Sequence, residues 1–388
     1  MATIEAGSDL HTEMTTWRRH LHAHPETAFE EHDTAAFVAD KLAEFGLHVH
    51  RGLARTGVVG TLECGEGPAI GLRADMDALG FQEGNDFAHR STRPGKMHAC
   101  GHDGHTAMLL GAARYLSRKR GVRGTVHFIF QPAEENEAGG REMVEDGLFD
   151  RFPVSAVYGL HNWPGLEAGR IALRSGTMMA ACDLFEITLT GRGCHAAMPH
   201  LGSDTVLAAS ALVTALHTLV GRVVDPQQAA VVSVTQVHAG DTWNVIPERA
   251  VLRGTVRTFQ GSVQNALETG IRRIAEAMAQ AHRCSAEVRY EQRYPATVND
   301  PDAIVRAARA AVTVVGEAGV VRDPAPSMGS EDFAFMLQAR PGCYVWLGNG
   351  PTEGGRVLHN PRYDFNDEIL PIGASWWATL AEQELPLP

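Results

Sequence analysis

The sequence predicts an α/β protein: a mainly parallel sheet with helices on both faces, interrupted by a smaller α+β domain. Three observations carry this expectation. Short runs that are apolar on both faces alternate with amphipathic helices in the first third of the chain, the pattern of strands covered from both sides. Near residue 184 the style changes to strands with one dry and one wet face. After Pro295 the first style returns. A chain of 388 residues also suits two domains better than one.

Periodicity predicts helices over 9–23 and 31–46, the second ending at Gly46. Strand-like runs follow at Gly57–Glu63, Ala69–Ala74, Thr125–Phe130 and Ala156–Leu160, with another at Cys343–Leu347. Between them, 103–120 reads as a helix with Leu109, Ala112, Ala113 and Leu116 on one face. Arg118, Lys119 and Arg120 complement its C-terminal dipole before Gly121. From Leu184 to Thr190, Phe185, Ile187 and Leu189 alternate with Glu186, Thr188 and Thr190. A helix (204–220), strands (230–238 and 249–259), a helix (263–282) and a strand (284–291) complete a β-α-β-β-α-β order, that of a split ferredoxin-like unit. A helix over 301–315 then leads back to the first domain.

Composition excludes several function classes. Hydrophobic residues make up 44% of the chain, enough for a real core. Thirty-four basic against 46 acidic residues give a net charge of −12, and no basic cluster exceeds residues 118–120, so nucleic acid is not an expected partner. No uninterrupted apolar run reaches the roughly 18–20 residues of a membrane span, and the opening residues carry no basic-then-apolar leader. The six cysteines are scattered, as expected of reduced thiols in the cytoplasm. A small molecule is the expected ligand.

Chemistry collects where the strands end. Asp75 and Asp77 follow one strand, Gln131-Pro132-Ala133-Glu134-Glu135 another, and His161 a third. Ligands of open α/β sheets bind beyond such carboxyl ends. Cys100, His102 and His105 open the 103–120 helix, and His359 follows the last strand. Thiolate, imidazole and carboxylate suit a borderline cation such as zinc and argue against magnesium or calcium. Alone, each piece reads as ordinary structure: a buried thiol, a strand-end histidine, a solvated pair of glutamates. Gathered at successive strand ends, they point to a metal site. A Cys/His nucleophile lacks a local signature, and the nearby carboxylates disfavour a free thiolate. No dinucleotide fingerprint, phosphate loop or nucleophile elbow is present.

The stretches MHACGHDGHTAMLLGAA, FIFQPAEENEAGGREMVEDG, GLHNWPGLEAGRI, GRGCHAAMPH, AGDTWNVIPERAVLRGTVRTF, GSEDFAFM and LHNPRYDFND together resemble the M20 metallopeptidase superfamily, and more narrowly its amidohydrolase branch. That branch includes hippurate hydrolases, N-acyl-amino-acid deacylases and auxin-conjugate hydrolases. The resemblance runs from about Trp17 to the last helix. It implies metal-dependent hydrolysis of an N-acyl amino acid, with two divalent ions (Zn, Mn, Co or Ni) held by Cys100, His102, Glu135, His161 and His359. Glu134 matches the general base, and Asp77 the acid that orients a ligand near the metals. The catalytic domain would comprise 1–183 and 296–388, and 184–295 an inserted lid and dimerisation domain. There His195 matches a histidine reaching into a neighbouring active site, and Asn244 and Arg257 match substrate-binding positions. A homodimer or higher homo-oligomer through that domain is implied.

On the residues alone, Arg257 also reads as an exposed strand arginine, Asn244 as a turn former and Trp163 as core. His105 reads as a second-layer or helix-start histidine, and His20, His22 and His24 as serving the helix end before Pro25. Gly80, Phe81, Cys194 and Ser330 depart from the family pattern near the ligand-binding loops. A dipeptidase or carboxypeptidase of the same superfamily is the nearer alternative, a catalytically silent binding relative the other.

Overall fold

The computed structural model describes residues 3–387, which divide into two compact units. The first comprises residues 3–178, Val298–Ala325 and 332–387; the second comprises Met179–Thr297 and Pro326–Glu331.

The first unit is built on an eight-stranded sheet. Its strands lie in the order His48–Leu53, Gly57–Cys64, Gly124–Gln131, Ala69–Asp75, Ala156–Pro164, Gly342–Gly350, Ile171–Leu173 and Val320–Arg322. The four central strands, from Gly124–Gln131 to Gly342–Gly350, run parallel, with antiparallel pairs flanking them. Every residue of Gly342–Gly350 is buried, so both sheet faces are covered, as the doubly apolar runs predicted. One face carries a large core, where Leu72, Phe128, Tyr158 and Val345 meet the helices His102–Lys119, Pro301–Val315 and Leu370–Glu384. Parallel strands bring their carboxyl ends to one edge of the sheet, which is where the candidate residues gather.

The second unit is an antiparallel sheet in the order Ala230–Ala239, Arg249–Thr258, Ala181–Thr190, Ser285–Tyr294. Its first and last strands in sequence are neighbours, with Cys182 opposite Tyr294. Phe185, Ile187 and Leu189 pack with residues of the helices Thr205–Val223 and Gly261–Ala281. The alternation at 184–190 therefore marks one helix-covered face. Thr205–Val223 alone among the described helices is long and apolar enough to cross a membrane, which the search for uninterrupted apolar runs did not anticipate. Its Ala208, Leu212, Leu216 and Leu219 belong to the core of this unit, so the helix is part of a packed domain.

Candidate metal centre

Three strands, a helix and the loop carrying His359 converge here in the first unit. The strand Ala69–Asp75 delivers Asp75 and, two residues on, Asp77. Gly124–Gln131 is followed by the turn that carries Glu134 and Glu135. Ala156–Pro164 runs on past Leu160, so His161 lies within the strand rather than after it. The helix His102–Lys119 begins after Gly101, whose φ of +93° is left-handed. A Cβ there would strike Asn162 and the Tyr363 hydroxyl, so glycine is required. His359, at φ +60°, is tied by its N–H to the Ala99 carbonyl at 2.8 Å.

These elements bring together Cys100, His102, Glu135, His161 and His359, with Glu134 among them. Donor atoms of Cys100, His102 and His161 lie within 4.8 Å of one another, as do those of Cys100, Glu135 and His359, and those of His102, Glu134 and Glu135. Cys100 Sγ is 3.3 Å from His161 Nε2, and His359 Nε2 is 3.0 Å from Glu135 Oε1. Two overlapping groups sharing the Cys100 sulfur are what a two-cation centre needs.

The ring orientations fit that use. His161 donates its Nδ1–H to the Asn162 carbonyl at 2.6 Å, which leaves the Nε2 lone pair toward the sulfur. His102 Nδ1 lies 3.2 Å from Asp77 Oδ1, and its Nε2 is buried without a hydrogen-bond partner. A buried imidazole nitrogen left open in this way, on a ring oriented by a carboxylate, suits a cation. Asp77 also accepts the Glu135 N–H at 2.8 Å, so it orients one candidate ligand and anchors the backbone of another.

Electrostatics point the same way. Burial pushes the Cys100 thiol well above its usual range, and Glu135, Glu134 and Asp75 push it further. A thiolate here requires a compensating cation, which argues against a free nucleophilic sulfur. Burial, with His105 next, holds His161 well below the usual histidine value and hence neutral. For His102 burial opposes charge, but Asp75, Asp77 and Glu135 outweigh it and carry the pKa up to about 10. The cluster is short of positive charge.

Two supporting networks lie behind these donors. His105 gives Nδ1–H to Asp75 at 2.6 Å, and its Nε2 accepts the Asn162 N–H at 2.9 Å; both nitrogens are engaged, so it braces the site rather than binding an ion. Arg73, fully buried, donates to Gln131, Asp75 and Asp332 at 2.8–3.0 Å. Next to His102, Asp103 Oδ2 accepts from Arg18 Nε and pairs with His22 Nδ1, both at 2.8 Å, while His22 Nε2 meets Glu83 at 3.1 Å. Arg18 also reaches Asp364 and Asp367. His22, in the last turn of its helix as expected, thus also belongs to a buried ionic network. His20, in the last turn, and His24, the C-cap, keep the expected place, the His24 ring 2.8 Å from the His20 carbonyl. Asn162, Arg18 and Glu83 received no role from sequence.

His195, Asn244 and Arg257 lie in the second unit. His195 pairs with Val245 in a two-stranded ribbon, and Ala196 N–H bonds the Asn244 carbonyl at 2.9 Å, so His195 and Asn244 are neighbours. The exposed His195 accepts the Ala197 N–H at Nδ1 (3.1 Å), which leaves its proton on Nε2. Arg257, half-buried, donates to Ser330 Oγ at 2.9 Å, giving one of the family departures a partner. Trp163 stacks on Trp346 with centroids 3.9 Å apart.

Residues 71–383 match the model of peptidase family M20/M25/M40. The chain belongs to peptidase family M20. This M20 chain is 40% identical over 374 residues to a hippurate hydrolase of Campylobacter jejuni, covering 96% of the chain and 97% of that protein. It is 41% identical over 376 residues to an N-acetyl-L-cysteine deacetylase of Bacillus subtilis, covering 95% and 87%. With an N-acyl-L-amino acid amidohydrolase of Geobacillus stearothermophilus it shares 45% over 298 residues, covering 75% and 79%. A solved structure from Bacillus subtilis, described as a dinuclear metal-binding peptidase of the M20 family, superposes with a TM-score of 0.84 at 36% identity over 97% of this chain and 98% of that one. That likeness and the overlapping donor groups support two divalent ions in this M20 member.

Proposed function

We propose that the protein is a metal-dependent amidohydrolase that cleaves the acyl–nitrogen bond of an N-acyl amino acid, releasing a carboxylate and a free amino acid. The observation that carries this is the donor set gathered around the buried Cys100 with a second carboxylate, Glu134, beside it. The names of its relatives at about 40% identity support the substrate class.

Cys100, His102, Glu135, His161 and His359 would hold two cations drawn from Zn, Mn, Co or Ni. Such ions, when bound, lower the pKa of water toward about 7 and polarise an amide carbonyl. Glu134 takes the proton of the attacking water and returns it to the leaving nitrogen. Asp77 keeps His102 and the Glu135 backbone in place. His195 presents an Nε2–H suited to the developing oxyanion, in the active site of a second copy, and Asn244 and Arg257 receive the substrate carboxylate or that oxyanion. The six unpaired cysteines among the described residues suit a reducing, cytoplasmic setting.

The test is amine release by chelator-stripped protein, with and without each of the four metals. Substrates are benzoyl-glycine, N-acetyl amino acids of both hands and free dipeptides. Metal-restored cleavage of an N-acyl class supports the reading. Cleavage of dipeptides alone would replace it with a peptidase, and silence across the panel with metal bound would point to an unusual acyl group first and a binding protein second.

A further inference from the structure

The segment carrying Glu134 and Glu135 is conformationally unusual. Ala133 (φ +55°, ψ 40°) and Ala138 (φ +57°, ψ 49°) bracket the Glu134–Glu137 turn, and both are left-handed although both carry a Cβ. L-residues avoid that basin, so surrounding groups must hold them there. The structure supplies those groups as three buried carboxylates from distant parts of the first unit. Glu31 Oε1 accepts the Ala133 N–H at 2.9 Å, Asp77 Oδ2 the Glu135 N–H at 2.8 Å, and Asp332 Oδ2 the Gly140 N–H at 2.7 Å. The Gly139 N–H closes the loop onto the Ala133 carbonyl at 2.9 Å.

Glu31 stands apart within this set. Asp77 also touches His102, and Asp332 also pairs with Arg73. Glu31 belongs to no candidate metal group; its second oxygen accepts the buried Thr56 hydroxyl at 2.7 Å. It lies on no motif and has no part in the chemistry described above, yet it is fully buried. We propose that Glu31 is a positioning residue for Glu134. By accepting the Ala133 N–H it keeps the preceding residue left-handed, and so fixes the direction in which Glu134 leaves the backbone. Without that bond Ala133 can relax to a right-handed or extended conformation, which re-aims the next side chain. Proton transfer tolerates little such displacement.

The proposal rests on the reading of Glu134 as the proton-transfer group. The experiment measures kcat, KM, bound metal per chain and melting temperature for the metal-loaded full-length protein on its best N-acyl substrate. Glu134→Gln serves as the control. Glu31→Gln keeps both contacts, because its amide oxygen accepts from Ala133 and its NH2 donates to the Thr56 hydroxyl; kcat is expected within about threefold of the parent. Glu31→Ala is expected to lower kcat by about tenfold to a hundredfold, with KM and metal content unchanged. Adding Ala133→Gly should recover part of the loss, since glycine adopts the left-handed turn unaided.

Thr56→Val removes only the second anchor of Glu31 and covers the case in which Glu31→Ala does not fold; a three- to tenfold fall in kcat at constant KM is expected of it. The proposal is overturned if Glu31→Ala or Thr56→Val keeps the parent kcat while Glu134→Gln is inactive. It is also overturned if Glu31→Gln is as impaired as Glu31→Ala, or if kcat and metal content fall together. An active Glu134→Gln would instead overturn the reading beneath it.

Discussion

Replacing Arg18 by Met is expected to destabilise the first unit by about 3–5 kcal/mol, the cost of leaving a buried charge without its partner. Arg18 and Asp103 side chains are both 0% exposed and 2.8 Å apart, so the carboxylate cannot turn to water when the guanidinium is removed. His22 Nδ1, also 2.8 Å from Asp103, remains and favours the lower half of the range. Asp364 and Asp367 keep partial access to solvent and add little. Arg19→Met is the internal control. That side chain is 51% exposed where it meets Asp367, and such pairs contribute at most about 1 kcal/mol. Urea unfolding of metal-free protein, followed by circular dichroism, compares the two.

The difference between parent and Arg18→Met should also depend on pH. Burial raises the Asp103 pKa, but Arg18 first and His22 next outweigh it and hold the carboxyl well below the usual range. A depressed native pKa contributes stability above the unfolded value near 3.9 and loses it as pH falls toward the native one. The gap should therefore narrow below about pH 4. A loss under 1 kcal/mol at pH 7, or one equal to that of Arg19→Met, would refute the reasoning.

Cys100→Ala should reduce bound metal after dialysis, measured by elemental analysis; unchanged stoichiometry would remove Cys100 from the ligand set. Gly104→Ala places a Cβ against the Phe365 ring at the start of the helix behind His102. Overpacking of this kind costs about 1–3 kcal/mol and outweighs the gain in helix propensity, so the urea midpoint should fall. A second change, Phe365→Leu, should return part of it. Burial lowers His127 to about 4, so the native state stays neutral while the unfolded chain protonates near 6.5. Stability from this group is full above about pH 6.5 and is lost as pH falls toward 4. Between pH 7 and 5 the parent should lose about 2 kcal/mol that His127→Leu does not; equal losses would show that His127 is not held neutral.

Much of the centre could be read from sequence because its residues sit at or just past the ends of doubly apolar runs or at the start of the 103–120 helix, and strand ends are where an α/β sheet places its ligands. Cys100, His102, Glu135, His161 and His359 come together for that reason. The supporting residues carried no such signal. Arg18 and His22 lie four apart on the face that also buries Met14 and Leu21, so a charged pair interrupting an apolar stripe was the available clue. Glu31 and the left-handed Ala133 leave no trace in a pattern of residue types, because their roles depend on contacts across about a hundred residues. The helix Leu370–Glu384 escaped periodicity for the opposite reason. It is buried on nearly every side, Trp376 and Trp377 included, and a helix without a wet face has little amphipathic pattern.

The pairing of Cys182 with Tyr294 has a kinetic consequence. To join Ala156–Pro164 to Gly342–Gly350, the chain must close a loop that includes the whole of Met179–Thr297. If that excursion folds first, its entry and exit become sheet neighbours only about 5 Å apart. The search for the partner strand then spans roughly one third of the covalent distance, which saves about 1 kcal/mol of closure entropy. Folding in that order would make the second unit a staple that draws the two halves of the eight-stranded sheet within reach of each other, and a defect in its own antiparallel strands would then slow the assembly of a sheet to which it contributes no strand.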